Sequence, residues 1–93
     1  MDSTRYIVCD DAIQYVDDQG TVLAEVTFPA CAEGVVDINH TFVDPSLRGQ
    51  GIAGELMRRT VKALQERNLH AHTSCSYAAT WFDRHPEHAG LRA

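Results

Sequence analysis

The chain has 93 residues, 44% of them apolar and 23% charged, with a formal net charge of -5. That is the composition of an ordinary globular protein, and the length suits one domain around a small core, here expected to span residues 1–93. No apolar run approaches the roughly 18 residues of a membrane span, and eight bases against thirteen acids argue against nucleic-acid binding, which needs excess positive charge.

The first half reads as strands. Residues 6–9 form a short apolar run, and Ala12–Val16 follows the turn-like Asp10-Asp11 pair. Asp17-Asp18-Gln19-Gly20 carries turn residues and gives way to residues 21–28, rich in β-branched types. This is a hairpin signal with glycine in the loop. Residues 29–34 read as a loop. Residues 35–43 are the longest strand candidate, stopped by Asp44-Pro45.

The period then changes. From residue 51 to 66, at about 100° per residue, the side chains separate into two halves. Ile52, Ala53, Leu56, Met57, Val61, Ala63 and Leu64 fall on one; Glu55, Arg58, Arg59, Lys62, Gln65 and Glu66 fall on the other. This predicts an amphipathic helix with one core face and one wet face. Arg67 suits its negative end, and Asn68 tolerates the left-handed conformation that ends helices. Residues 69–74 read as a short strand. Ser76 is placed to cap a second helix over 77–84, which His85-Pro86 ends. The order is β-β-β-β-α-β-α: an α+β fold, a mostly antiparallel meander followed by β-α-β-α, with a right-handed crossover between parallel neighbours.

Charge and cysteines add to this frame. Residues 1–45 hold one base and nine acids, while residues 46–93 hold seven bases and four acids. A basic second half suits contact with an anion. The opening residues show no basic stretch followed by an apolar one, so no secretory signal is expected. Cys9, Cys31 and Cys75 are odd in number and widely spaced, which argues against a disulfide framework and for a reducing, cytoplasmic setting. A small unstapled core gains stability from a ligand or a partner copy; a monomer or weak homodimer is expected.

The stretch with the most chemical content is Arg48-Gly49-Gln50-Gly51-Ile52-Ala53, between a strand and a helix. Two glycines let the backbone bend and let an anion approach its N–H groups. The helix start adds unpaired donors and partial positive charge. The combination suits phosphate or pyrophosphate, with Arg48 adding a charge-assisted contact. The plainer reading is a glycine-rich turn that starts a helix. No Lys-Ser/Thr pair follows the glycines, which excludes the NTPase loop, and no G-x-G-x-x-G opens a βαβ unit.

Arg48-x-x-Gly51-x-Ala53 resembles the acyl-coenzyme A pyrophosphate motif of the GCN5-related N-acetyltransferases. The longer run from His40 to Ala53, and Cys75-Ser76-Tyr77 followed by Trp81-Phe82-x-Arg84-His85-Pro86-Glu87, resemble the compact branch of that superfamily. The resemblance implies a minimal fold in which residues 35–43 and 69–74 splay to form a coenzyme A cleft. It implies cofactor contacts at Phe42, Val43, Arg48, Gly49, Gln50, Gly51, Ile52, Ala53 and Tyr77. It implies acetyl-coenzyme A as cofactor, His40 and Cys75 as the reactive pair, and an amine or lysine side chain as acceptor. Full-size members carry two helices near the N-terminus that help form the acceptor site. Strand patterns stand there in this sequence, so the acceptor site is open, completed by a partner, or absent. The alternative function is a coenzyme A-binding module without turnover.

Each residue also has a plainer role. Cys75 precedes a helix start, which lowers a thiol's pKa and makes a nucleophile; the alternative is a small buried residue. Strict alternation puts His40 on the face of Val36, Ile38 and Phe42, partly buried, either as a general base or as a hydrogen-bonded structural histidine. A bulge would change that facing. Tyr77 sits beside Cys75, as packing or as an acid toward a leaving thiolate. His70, His72, His85 and His88 have loose spacing, and no metal site is expected. Arg58, Arg59, Lys62 and Arg67 read as a solvated face, Trp81 and Phe82 as core or interface.

Overall fold

The computed structural model describes residues 5–93. The reading of the opening residues as lacking a signal falls largely on residues 1–4, outside the described part. The strands are β1 (Arg5–Val8), β2 (Ala12–Val16), β3 (Val22–Thr27), β4 (Ala30–Ala32), β5 (Val35–Asp37), β6 (His40–Val43) and β7 (His70–His72). The helices are α1 (Ile52–Glu66), between β6 and β7, and α2 (Ser76–Asp83). Short 3₁₀ turns cover Pro45–Leu47 and Pro86–Leu91.

Four strands form an antiparallel sheet in the order β1-β2-β3-β6, and three form a second sheet in the order β4-β5-β7. β5 and β7 run parallel. The antiparallel meander and the parallel crossover agree with the sequence pattern. The expected loop at 29–34 differs: it contains β4, a short edge strand whose three residues are all exposed.

The strand expected over 35–43 is not one strand. Its first part, β5, pairs with β7; its last part, β6, pairs with β3 in the other sheet. The break is a bulge. β6 opens with His40 opposite Thr27, yet the Asn39 N–H also donates to the Thr27 carbonyl at 3.2 Å. Two residues thus face one, which bends the strand and shifts its phase.

The core lies between the sheets and the helices. α1 sets Leu56, Met57, Val61 and Leu64 against Ile13, Ala24 and Val26; α2 contributes Ala78, Trp81 and Phe82. Thr60 is also buried on α1, in a position polar by composition. Its hydroxyl donates to the Leu56 carbonyl at 2.8 Å, so the group is satisfied within its own helix. Asn68 takes the left-handed conformation at φ 56° and ends α1. Arg67 does more than complement the helix end: its guanidinium donates to the carbonyls of Cys9 and Asp10, tying α1 to the β1–β2 turn. Arg58 and Arg59 both pair with Glu55 on the wet face, where such pairs contribute only about 0.3–0.5 kcal/mol each. Trp81 is core, with the His85 ring stacked on it at 3.9 Å.

Leu64 is fully buried, so Leu64→Ala is expected to cost about 2–5 kcal/mol in urea unfolding. Val8 is 53% exposed, and Val8→Ala should stay within about 0.5 kcal/mol of the wild type.

Candidate active site

The site begins where β5 and β7 part. Their pairing continues one residue past the strands: the Ile38 N–H donates to the His72 carbonyl at 2.9 Å, and the Cys75 N–H donates to the Ile38 carbonyl at 3.0 Å. Beyond Ile38 the bulge carries β6 away, and the chain after β7 turns into α2. The two segments form a V with its vertex at Ile38. The Asp37 carboxylate crosses that vertex, accepting the Ser74 N–H at 3.1 Å and the Ser74 hydroxyl at 2.7 Å.

β6 lies along one arm. The Asp44 N–H donates to the Leu23 carbonyl, so antiparallel alternation turns the N–H and C=O groups of Phe42 and His40 toward β3. Those of Thr41 and Val43 then face the V. Side chains alternate too. Thr41 stands opposite Val26 and Val43 opposite Ala24, both fully buried, on the core face. His40 stands opposite Thr27 and Phe42 opposite Glu25, on the outer face.

This corrects the expected facing of His40. Val36 and Ile38 are buried, but His40 is exposed and Phe42 is 40% exposed. The bulge at Asn39 and His40 inverts the phase between the two halves. The side chain nearest Cys75 on this arm is therefore Thr41: Cys75 Sγ lies 3.6 Å from Thr41 Oγ1. Among the described residues no contact joins His40 to Cys75. Thr41 is a site residue that the sequence reading missed. Only the phase shift could have revealed it, and nothing in the local composition marks the bulge.

Cys75 occupies the N-cap of α2, a position expected for Ser76. Neither Tyr77 nor Ala78 reaches capping hydrogen-bond distance to the sulfur, but their N–H dipoles still act on it. Burial pushes the thiol up; the Ala78 N–H, the Thr41 hydroxyl and the N–H groups of Tyr77 and Thr41 outweigh it, and the net shift is below the usual 9.0. Tyr77 shifts the other way. Burial raises its phenol above the usual 10.0, helped by the neighbouring Cys75 and opposed by Arg58 and Arg84. A thiol shifted down thus sits beside a phenol shifted up.

The glycine loop closes the other end. Asp44 caps the 3₁₀ turn over Pro45–Leu47 through the Ser46 N–H and hydroxyl, and these bonds hold its carboxyl below the usual carboxylate value. Gly49 and Gly51 then adopt φ of 85° and 76°, a region that L side chains enter at a cost of about 1–2 kcal/mol. Gly51 is the N-cap of α1. The first-turn N–H groups of Ile52, Ala53 and Gly54 have no partner inside the helix.

These groups border a depression of about 220 Å³ lined by Val43, Leu47, Arg48, Gly49, Gly51, Ile52, Ala53, Gly54 and Tyr77. The structure brings together seven of the nine residues expected to contact the cofactor. It does not bring Phe42, which alternation turns to the outer face, or Gln50, which is exposed outside the lining. Leu47 and Gly54 join the lining unexpectedly. Leu47 is placed by the Asp44-capped turn, and Gly54 by helical spacing from Gly51.

Residues 12–91 match the family GCN5-related N-acetyl-transferase. The chain belongs to that family. A GCN5-like protein from Staphylococcus aureus, solved by NMR, superposes with a TM-score of 0.81 at 26% identity, covering 100% of this chain and 91% of that one. YhbS from Escherichia coli, a GNAT-family N-acetyltransferase crystallised with coenzyme A, gives 0.59 at 26% identity over 67% of this chain and 38% of its own. Protein NATD1 from Homo sapiens is 35% identical over 52 residues, 56% of this chain; the match spans about half the relative's length, 46%. Acetyl-coenzyme A is the standard cofactor of the family. The donor set fits such a group: a bent glycine loop, free helix N–H groups, Arg48, and an open strand edge running toward Cys75. Among the described residues, no helix is long and apolar enough to cross a membrane.

The lowered thiol contributes stability that is complete above the unfolded value and lost as pH falls through the folded one. With Cys9 and Cys31 replaced by serine, the pH profile of Cys75 alkylation should have its midpoint below 9.0. Thr41→Val should move that midpoint upward. A wild-type midpoint at or above the usual value would contradict the assigned environment.

Proposed function

We propose that this chain is an acetyl-coenzyme A-dependent N-acetyltransferase of compact type, acting on an amine. The observation that carries the reading is the V itself: a glycine loop and the start of α1 at one end and the Cys75 thiol at the other, joined by the unpaired edge of β6. Bound acetyl-coenzyme A would supply a thioester carbonyl open to attack.

The chain's own groups divide the work. Arg48 and the N–H groups of Ile52, Ala53 and Gly54 hold a pyrophosphate by charge-assisted bonds at a helix start. Gly49 and Gly51 supply the backbone bend that makes this approach open. The edge N–H and C=O groups of Val43 and the C=O of Thr41 pair an extended amide arm in strand fashion. The Thr41 N–H is also a donor where an oxyanion develops. Cys75 serves as a thiolate nucleophile, or as the wall against which the reacting carbon is held. Tyr77 keeps a proton at its hydroxyl for a departing thiolate. His40, exposed on the outer face, receives a proton from an amine arriving from that side.

A second reading has specific support. His40 and Cys75 lie on opposite faces of β6, so they do not form a hydrogen-bonded acid–base pair. That separation favours a coenzyme A-binding module without turnover. We extend the first reading to a cytoplasmic protein, on the strength of three free cysteines and acidic composition.

Thermal unfolding with coenzyme A, acetyl-coenzyme A and ATP tests the cofactor site. At 100 times the dissociation constant, either coenzyme should stabilise the fold by about 2.7 kcal/mol, and ATP should do far less. Nothing lies within 4 Å of a Cβ built on Gly51, so Gly51→Val should act through backbone conformation and weaken coenzyme binding about tenfold or more. No shift with either coenzyme at millimolar concentration would remove both readings. For catalysis, initial rates over an amine panel separate the routes. Cys75→Ala should lose nearly all activity if acetyl passes through the sulfur, with acetylated Cys75 trapped by mass spectrometry. It should keep much of the activity if transfer is direct. Full activity in both Cys75→Ala and His40→Ala would remove the pair.

A further inference from the structure

Among the described residues, the Asp37 carboxylate is the one acidic side chain that spans the vertex of the V, and none of the proposed chemistry uses it. It sits at the end of β5, where the parallel pairing is about to stop. Its Oδ1 accepts both the N–H and the hydroxyl of Ser74, at 3.1 and 2.7 Å, and its Oδ2 approaches the same hydroxyl at 2.7 Å. Ser74 immediately precedes Cys75. The next link is the Cys75 N–H to the Ile38 carbonyl at 3.0 Å. Ile38 in turn follows Asp37. Residues 37–38 on one arm therefore grip residues 74–75 on the other through two adjacent rungs, one of side-chain and one of backbone origin.

A third contact lies one step into the V, Cys75 Sγ at 3.6 Å from Thr41 Oγ1. The sulfur contact is weak, because a thiol is a weak donor and a weak acceptor. It survives only if the backbone on both sides is held. The bulge removes the sheet ladder that would otherwise hold it, since β6 no longer pairs with the chain after His72. The Asp37–Ser74 rung stands where that ladder ends.

We infer that Asp37 is a positioning residue for Cys75, locking Ser74 so that the sulfur stays beside Thr41 at the N-terminus of α2. The inference rests on the reading of Cys75 as a reacting thiol. It makes the carboxylate an acceptor rather than a charge. An amide oxygen can take both Ser74 donors, so Asn replaces Asp in this role and Ala does not.

The test is the rate of Cys75 alkylation by iodoacetamide at neutral pH, resolved from Cys9 and Cys31 by peptide mass. Asp37→Ala should slow Cys75 by about fivefold or more, because the thiolate loses its donors, and leave the Cys9 rate unchanged. Asp37→Asn should stay within about twofold of the wild type. Urea unfolding of each variant measures the stability change separately. An Asp37→Ala protein that is destabilised but keeps its Cys75 rate overturns the inference, as does an Asn variant that behaves like Ala. Neither outcome depends on turnover: loss of activity on Cys75→Ala tests the chemistry, and the alkylation rates test the placement.

Discussion

Everything at the site depends on one interruption of pairing. Asn39 and His40 stand opposite Thr27, and that extra residue lets a single stretch of chain belong to two sheets. Without it, residues 35–43 would continue beside β7 and close the ladder. With it, the edge of β6 has N–H and C=O groups that no strand takes up. Polar backbone in a partly sheltered place needs a partner, from water or from a bound chain. The fold therefore carries an unfinished strand pairing along β6.

The two helices give this opening its electrostatic character. α1 starts at Gly51 and α2 at Ser76, with Cys75 as cap. Residues from both first turns, Ile52 to Gly54 and Tyr77, line one depression. Each helix start presents N–H donors and partial positive charge. A chain of net charge -5 thus still presents local, oriented donors at this depression. Arg58 and Arg59 share Glu55, so Arg48 is the loop's own guanidinium. The same logic separates two acidities a few residues apart. Cys75 is lowered because oriented donors outweigh burial, and Tyr77 is raised because burial leads.

The placement of His40 bears on chemistry more than any other correction. A histidine beside a cysteine suggests a proton relay when read from residue types alone. In the fold, Thr41 takes the place next to the sulfur, and His40 looks outward with Phe42. A hydroxyl can accept from a thiol or donate to a thiolate; it does not act as a base near neutral pH. Any proton that leaves through His40 leaves from the outer side of the sheet. His40 and Cys75 thus lie on opposite sides of β6, with the strand between them.

Much of this was legible in the residues. The meander, the amphipathic α1, the Asn68 stop and the glycine loop follow from alternation, helical period and backbone freedom, which act over a few neighbours. The family was legible for the same reason: the Arg48-x-x-Gly51-x-Ala53 motif that carries the resemblance lies within one turn of chain. What the residues left open is long-range. No local preference says where residues 35–43 break, because a bulge is set by which strand each half finds. Thr41 beside Cys75, His40 turned outward, and Asp37 across Ser74 all depend on that choice. Alternation is a rule within one sheet, and this strand changes sheets. The sequence by itself determined the meander, the helices and the glycine loop; the tertiary structure decided where residues 35–43 divide and which side chains face the thiol, because only pairing across the two sheets sets the phase of β6.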